Sequence, residues 1–287
     1  VTPDPAAAPR TAAEAAPLAE PAAATVPVIG AEPGVVEPTA VDPATVGTPA
    51  VAEPAADPTP VAAPVTRAQA RRPADVRTAE EAIAEQERLR PLVRPTADPD
   101  LDVRLAAGLD VGYADDDRLV AAIVVVDVAT METVDTSVVR ATAEFPYVPG
   151  LFAFRELPSL LTALDRLTTI PDLLVCDGQG LAHPRRFGLA CHLGVLADLP
   201  SVGVAKTPMG RFEQPGPARG ASTDLLDDGE VVGRALRTRA GVKPVFVSVG
   251  HRVDLDRACA EVLRLCRDFR LPETTRRADA LGRRHLR

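Results

Sequence analysis

The chain has 287 residues, a net charge of −8 and 46% hydrophobic residues, enough apolar material for a sizeable core, but not evenly spread. Residues 1–75 hold 15 of the 29 prolines, 23 alanines, one leucine and no aromatic residue, which excludes a packed core there. The remaining residues 76–287 carry 31 acidic and 28 basic side chains, so bulk charge gives no argument for a nucleic-acid partner and any basic patch must be local.

Residues 1–75 repeat Ala-Pro, Glu-Pro and Asp-Pro steps without a fixed period and read as an extended, disordered arm, leaving 76–287 as the folded domain. A capped run of helix formers predicts a helix over 78–90, ended by Pro91 and Pro95. Three strands follow, at 105–111, 119–128 and 133–143, with links short enough for antiparallel hairpins. After the loop Phe145-Pro146-Tyr147-Val148-Pro149-Gly150, a helix covers 151–167 despite Pro158. A strand at 173–176, a helix at 187–197 and a strand at 201–205 read as parallel crossover units. Residues 210–229 read as a loop, followed by an edge strand near 231–238, a strand at 245–249, and helices at 254–269 and 273–281. The fold class is α/β, with three antiparallel strands leading into a parallel half flanked by helices.

Cys176, Cys191, Cys259 and Cys266 sit in apolar patterns without metal-finger spacing; they read as reduced core cysteines and point to the cytoplasm. Residues 1–24 lack a basic start and an apolar stretch, so no secretory leader is expected, and the longest apolar run, 119–126, is too short to span a bilayer.

Asp110 interrupts an apolar strand, and Asp177 ends another just before Gly178 and Gly180, where the backbone can approach a ligand closely. With Glu156 and Asp279 they form an oxygen-only donor set suited to Mg²⁺, or Mn²⁺ in its place, and to phosphoryl chemistry, although each acid alone also reads as a surface or strand-end group. Lys206, one of two lysines against 30 arginines, ends an apolar strand and suits phosphate neutralisation or an ordinary strand end. His183 is a candidate for proton transfer or phosphate contact, Arg185 and Arg186 are phosphate-type cations, and His192 reads as packing. Tyr147, held between prolines, can stack on a base or fill the gap left by an extruded nucleotide, or else pack under its own loop. Eight arginines within 264–287 offer either a phosphate-binding face or a solvated helix.

The segments Gly108-Leu-Asp110-Val-Gly112, Pro146-Tyr147-Val-Pro149-Gly150, Phe154-Arg155-Glu156, Asp177-Gly-Gln-Gly180-Leu181-Ala-His183-Pro-Arg185-Arg186, Gly203-Val-Ala-Lys206, Gly250-His251-Arg252 and Arg270-Leu-Pro-Glu-Thr-Thr-Arg276-Arg-Ala-Asp279 together resemble the endonuclease V family over about residues 78–283. The resemblance implies an RNase H-like fold and Mg²⁺-dependent hydrolysis of the second phosphodiester bond 3′ to deoxyinosine, leaving a 3′-hydroxyl and a 5′-phosphate. It implies metal binding by Asp110, Glu156 and Asp177 with Asp279 completing the set, Lys206 on the scissile phosphate and His183 beside it. Tyr147 becomes a wedge, and backbone near Pro149, Gly150, Gly180 and Leu181, with Arg185 nearby, lines the substrate pocket. The expected partner is inosine-containing DNA, met as a monomer; inosine-containing RNA or a non-catalytic nucleic-acid-binding module are the alternatives.

Overall fold

The computed structural model describes residues 75–286, all within the compact unit Pro60–Arg287; the arm expected over residues 1–75 lies, apart from Asp75, outside the described residues. Helix α1 (Ala79–Leu89) starts where Thr78 and Glu81 form a reciprocal capping box. Strands β1 (Leu105–Tyr113), β2 (Arg118–Asp127) and β3 (Thr133–Thr142) pair antiparallel. Helix α2 (Ala153–Asp165) precedes β4 (Leu173–Cys176), and α3 (Leu189–Ala197) joins β4 to β5 (Ser201–Ala205). Strands β1, β4 and β5 run parallel. The chain then forms β6 (Arg211–Phe212), β7 (Ser222–Asp227), β8 (Glu230–Leu236) and β9 (Val245–His251), and ends in α4 (Leu255–Leu265) and α5 (Glu273–Leu286).

These nine strands make one sheet in the order β3-β2-β1-β4-β5-β9-β8-β7-β6. Residues 119–126 of β2 are all buried because apolar layers cover both faces of the sheet. One layer joins Ala107, Leu109 and Ile123 to α2 and α3, the other joins Ala106, Val124 and Val175 to α4 and α5. None of the described helices is long and apolar enough to cross a membrane.

Two expectations need correction. The segment 210–229 is not a loop throughout, since it contributes β6 and β7, and β8 is therefore an interior strand rather than an edge. β7 escaped notice because its sequence is polar and only Leu225 on it is buried. The turn to β8 did carry a signal: Asp228 and Gly229 both take positive φ, as a two-residue primed hairpin requires.

Alternate residues Ala106, Gly108, Asp110 and Gly112 of β1 share one face, and α5 lies directly on it. A Cβ on Gly108 would stand 2.1 Å from the carbonyl carbon of Thr274, and one on Gly112 would meet Leu286 at 2.5 Å. The glycines on either side of Asp110 thus let α5 approach the strand. Gly108→Ala is expected to lower stability by about 1–3 kcal/mol or more, since helix backbone must move. Gly216→Ala, whose new methyl would make only an ordinary contact with Ala221 at 3.7 Å, serves as the control. Equal urea midpoints for the two variants would contradict this packing.

Candidate active site

Three neighbouring parallel strands each deliver one charged residue to the same place. Asp110 sits one residue beyond the Leu109–Cys176 pairing of β1 with β4, and Asp177 follows Cys176 directly, its N–H donating to Leu109 O at 3.3 Å. Lys206 follows the end of β5, and its Nζ reaches Asp177 Oδ2 at 2.5 Å. By strand alternation all three project on the face covered by α5, where Asp279 accepts from Arg283 Nε at 2.8 Å. Glu156 comes from α2 on the other face and is 5% exposed.

The charges interact strongly. Burial, then the charges of Asp177 and Asp279, push the Asp110 carboxyl up to about 7, against the opposing pull of Lys206. Burial, then Asp110 and Asp177, hold Glu156 well above the usual carboxylate range. Burial works against charged Lys206, but the hydrogen bond it donates to Asp177 and the charges of Asp177, Asp110 and Asp279 outweigh it and raise its pKa. Among the described residues no three acids, histidines or cysteines are already drawn together as an ion would hold them. The donor set nevertheless fits a hard divalent cation: it is all oxygen, and its mutual repulsion is what a cation would relieve.

Beside these acids lies a cavity of about 150 Å³, lined among others by Gly150, Phe152, Glu156, Asp177, Gln179, His183 and Met209. Phe152 of that lining meets Tyr147 edge-on, with ring centroids 5.7 Å apart, and Tyr147 is 70% exposed. The tyrosine does not pack under its loop. Its loop is held from below by Arg155, which donates to Phe145 O at 2.7 Å and pairs with Asp117 at 2.8 Å. The Tyr113 hydroxyl, buried beside Glu156 and Arg155, makes no hydrogen bond of ordinary geometry.

Several sequence-predicted residues are placed differently from expectation. His183 is 7% exposed; its Nδ1 accepts from Arg185 N at 3.2 Å, so Nε2 carries the proton and donates to Gly150 O at 2.9 Å. Burial, then the Arg185 charge, lower its pKa to about 4 and keep the ring neutral. Arg185 is spent on Gly150 O at 2.6 Å and Gln86 at 2.5 Å, and Arg186 on Asp227 and Glu230, so neither presents a free guanidinium to phosphate. The amides of Gly180 and Leu181 donate to Ser248 Oγ and Val249 O, both at 2.8 Å, and the cavity is bounded instead by Gly178 and Gln179. Pro149 is exposed on the Tyr147 loop.

The C-terminal arginines are also largely committed: Arg267 to Val128 and Ala129 carbonyls, Arg270 to Pro244 O, Arg276 and Arg277 to Glu273. His192 packs between Phe154 and Phe187, as expected. Gln86, Phe152 and Met209 were not found by sequence reasoning, which sees no charge or motif in them, and Gln179 stood within the Asp177–Gly180 motif without a role assigned to it. The signal available for Gln86 was a polar side chain at a core position of the α1 periodicity.

The endonuclease V family model matches residues 87–280. The chain is similar to endonuclease V of Nocardia farcinica, 57% identical over 212 residues, which cover 73% of this chain and 93% of that one. The crystal structure of endonuclease V from Streptomyces avermitilis superposes with a TM-score of 0.71 at 55% identity, covering 74% of this chain and 94% of the other. The Ciona intestinalis endonuclease V, solved with a 24-mer DNA containing an inosine followed by a ribo-adenosine, gives a TM-score of 0.62 at 28% identity, covering 72% and 97%. With its acids and lysine gathered at three parallel strand ends beside a cavity, and with relatives this close over nearly their whole length, the chain belongs to the endonuclease V family and is a nuclease of RNase H-like fold.

Proposed function

We propose that this nuclease hydrolyses the second phosphodiester bond 3′ to deoxyinosine in DNA, with Mg²⁺, leaving a 3′-hydroxyl and a 5′-phosphate, and that it acts as a cytoplasmic monomer. The observation that carries the reading is the convergence of Asp110, Asp177 and Lys206 on one face of three adjacent strand ends, next to a cavity whose lining Phe152 packs edge-on against the exposed Tyr147. A relative solved on inosine-containing DNA supports the substrate class, and four free, buried cysteines support a reducing compartment.

Enzymes of this family are metal-dependent nucleases. Asp110, Asp177 and Glu156 would hold the ion, with Asp279 completing the set, and a bound divalent cation supplies charge to the phosphate and lowers the pKa of an attacking water. Lys206 would leave its pairing with Asp177 to neutralise the scissile phosphate, a short movement for a half-exposed side chain. Tyr147 would stack in the helix where the flipped nucleotide was, and the cavity beside Gly150 and Gln179 would take the base. His183, neutral and bound at both nitrogens, would hold the cavity wall rather than move a proton.

A second reading, cleavage of inosine-containing RNA, is favoured by one observation: the nucleotide after the inosine in the Ciona complex is a ribo-adenosine. Labelled duplex DNA with one deoxyinosine, RNA with one inosine, and unmodified strands, each with Mg²⁺ or chelator, separate the readings. A single nick one nucleotide beyond deoxyinosine, lost with chelator, is the expected result; cutting of RNA alone would replace the DNA reading.

Asp110→Asn or Asp177→Asn is expected to reduce cutting by more than the roughly 10- to 100-fold that loss of an outer-shell partner costs, with lesion binding retained in gel shift. Loss of binding in a folded variant would contradict this division of labour. Tyr147→Ala is expected to weaken binding to inosine-containing duplex by about 1–3 kcal/mol, with a matching fall in preference over adenine. An unchanged preference would remove the wedge role.

Stability should follow the Asp110 carboxyl. Its pKa lies near 7 in the folded chain against 3.8 ordinarily, so the folded state keeps a proton that the unfolded state gives up. Without divalent ions the melting temperature is expected to fall as pH rises through that window, and Asp110→Asn to flatten the dependence. Mg²⁺ competes with the proton, so it should raise the melting temperature more at about pH 8 than at about pH 5. Equal Mg²⁺ shifts at both pH values would argue against metal binding at these acids.

A further inference from the structure

Gln86 lies on α1, is 1% exposed, and has no part in the chemistry above. A buried carboxamide must place its donors and acceptor, and Gln86 places all of them on the recognition side of the site. Its Nε2 donates to Gly150 O at 3.2 Å and to Phe187 O at 3.1 Å, while Oε1 accepts from Arg185 Nε at 2.5 Å. The same Gly150 carbonyl accepts from Arg185 Nη2 at 2.6 Å and from His183 Nε2 at 2.9 Å. Three donors thus converge on a carbonyl with two lone pairs, which fixes its position more firmly than any one bond could.

Gly150 both closes the Tyr147 loop and lines the cavity. Its φ is +78°, and a Cβ there would approach Arg185 Nη2 at 2.9 Å, so the clamp sits tight against bare backbone. Beneath it, Ala82 and Ile83 of α1 pack with Phe145, Val148 and Leu151, so α1 supports the loop by apolar contact as well. The chain turns through Phe187 into Gly188, which also lines the cavity.

We propose that Gln86 is a positioning residue for lesion recognition, setting the Tyr147 loop and the cavity wall at a fixed separation through Gly150 and Phe187. The inference rests on the inosine reading above and concerns a residue one position outside the segment matched by the family model. Only a glutamine meets the geometry: glutamate lacks the two donors, methionine lacks donors and acceptor, and asparagine is one methylene short.

The test uses the whole chain, with deoxyinosine duplex and unmodified duplex as substrates, and the variants Gln86→Glu and Gln86→Met. Both are expected to raise KM for the deoxyinosine duplex about ten-fold, to lower discrimination accordingly, and to leave kcat within about two-fold. In a Tyr147→Ala background the same substitutions should add little, because both act through one loop. Exchange of the Leu151 amide, bonded to Val148 O at 2.9 Å, should quicken in either variant while β2 amides stay protected, a readout that a general loss of stability would not reproduce. Parental KM and parental Leu151 exchange in the variants, or fully additive effects with Tyr147→Ala, would overturn the role of Gln86. A parent enzyme indifferent to inosine would overturn the substrate reading and this inference with it, so the two failures are told apart by the parent alone.

Discussion

Asp110 is a carboxylate placed beneath a helix, among other carboxylates, and the rest of the site depends on how that arrangement is tolerated. Desolvation and like charge both favour its protonated form. One compensation for the charge, and one packing device, are built into the fold. Lys206, carried in by the next strand but one, supplies a positive charge on the same face through Asp177. Gly108 and Gly112 let α5 close over the strand without a steric penalty, so Asp279 joins the group instead of standing off in solvent. Without the glycines α5, and Asp279 with it, would stand off from Asp110 and Asp177; without the lysine the repulsion among the acids would be relieved only by protons or cations.

Parallel strands explain why the group forms at one end of the sheet. β1, β4 and β5 run the same way, so their C-terminal ends coincide and residues just beyond the paired register become neighbours despite long separations in sequence. Glu156 reaches the same end from the opposite layer because α2 starts at the Tyr147 loop. The charged residues thus gather on the α5 side and the cavity lies toward α2 and α3, with Glu156 and Asp177, which both line it, joining the two.

Much of this was legible in the amino-acid order. The apolar run 119–126, the strand 173–176 ending in Asp177, and Lys206 after 201–205 carry period, length and a charged terminus that together mark buried strands with charged ends. What could not be read was which charges are free. His183, Arg185 and Arg186 have the composition of a phosphate site, but a guanidinium or imidazole meets a backbone carbonyl as readily as a phosphate oxygen, and only the fold brings Gly150, Asp227 and Glu230 within reach. The same limit hid Gln86, since a neutral amide announces nothing in sequence, and hid β7, whose single buried side chain left no alternation to detect.

The two halves of the site are held by different forces, and this separates their responses. The acidic half is governed by ionisation, with Asp110 changing charge near neutrality. The other half is a network around Gly150 in which His183 stays neutral down to about pH 4 and Gln86 has no ionisable group. Across the range where Asp110 titrates, the clamp therefore keeps its geometry. Charge among the acids can therefore vary with protons and cations while the separation held by the Gly150 network does not, so the two halves of the site answer to different conditions.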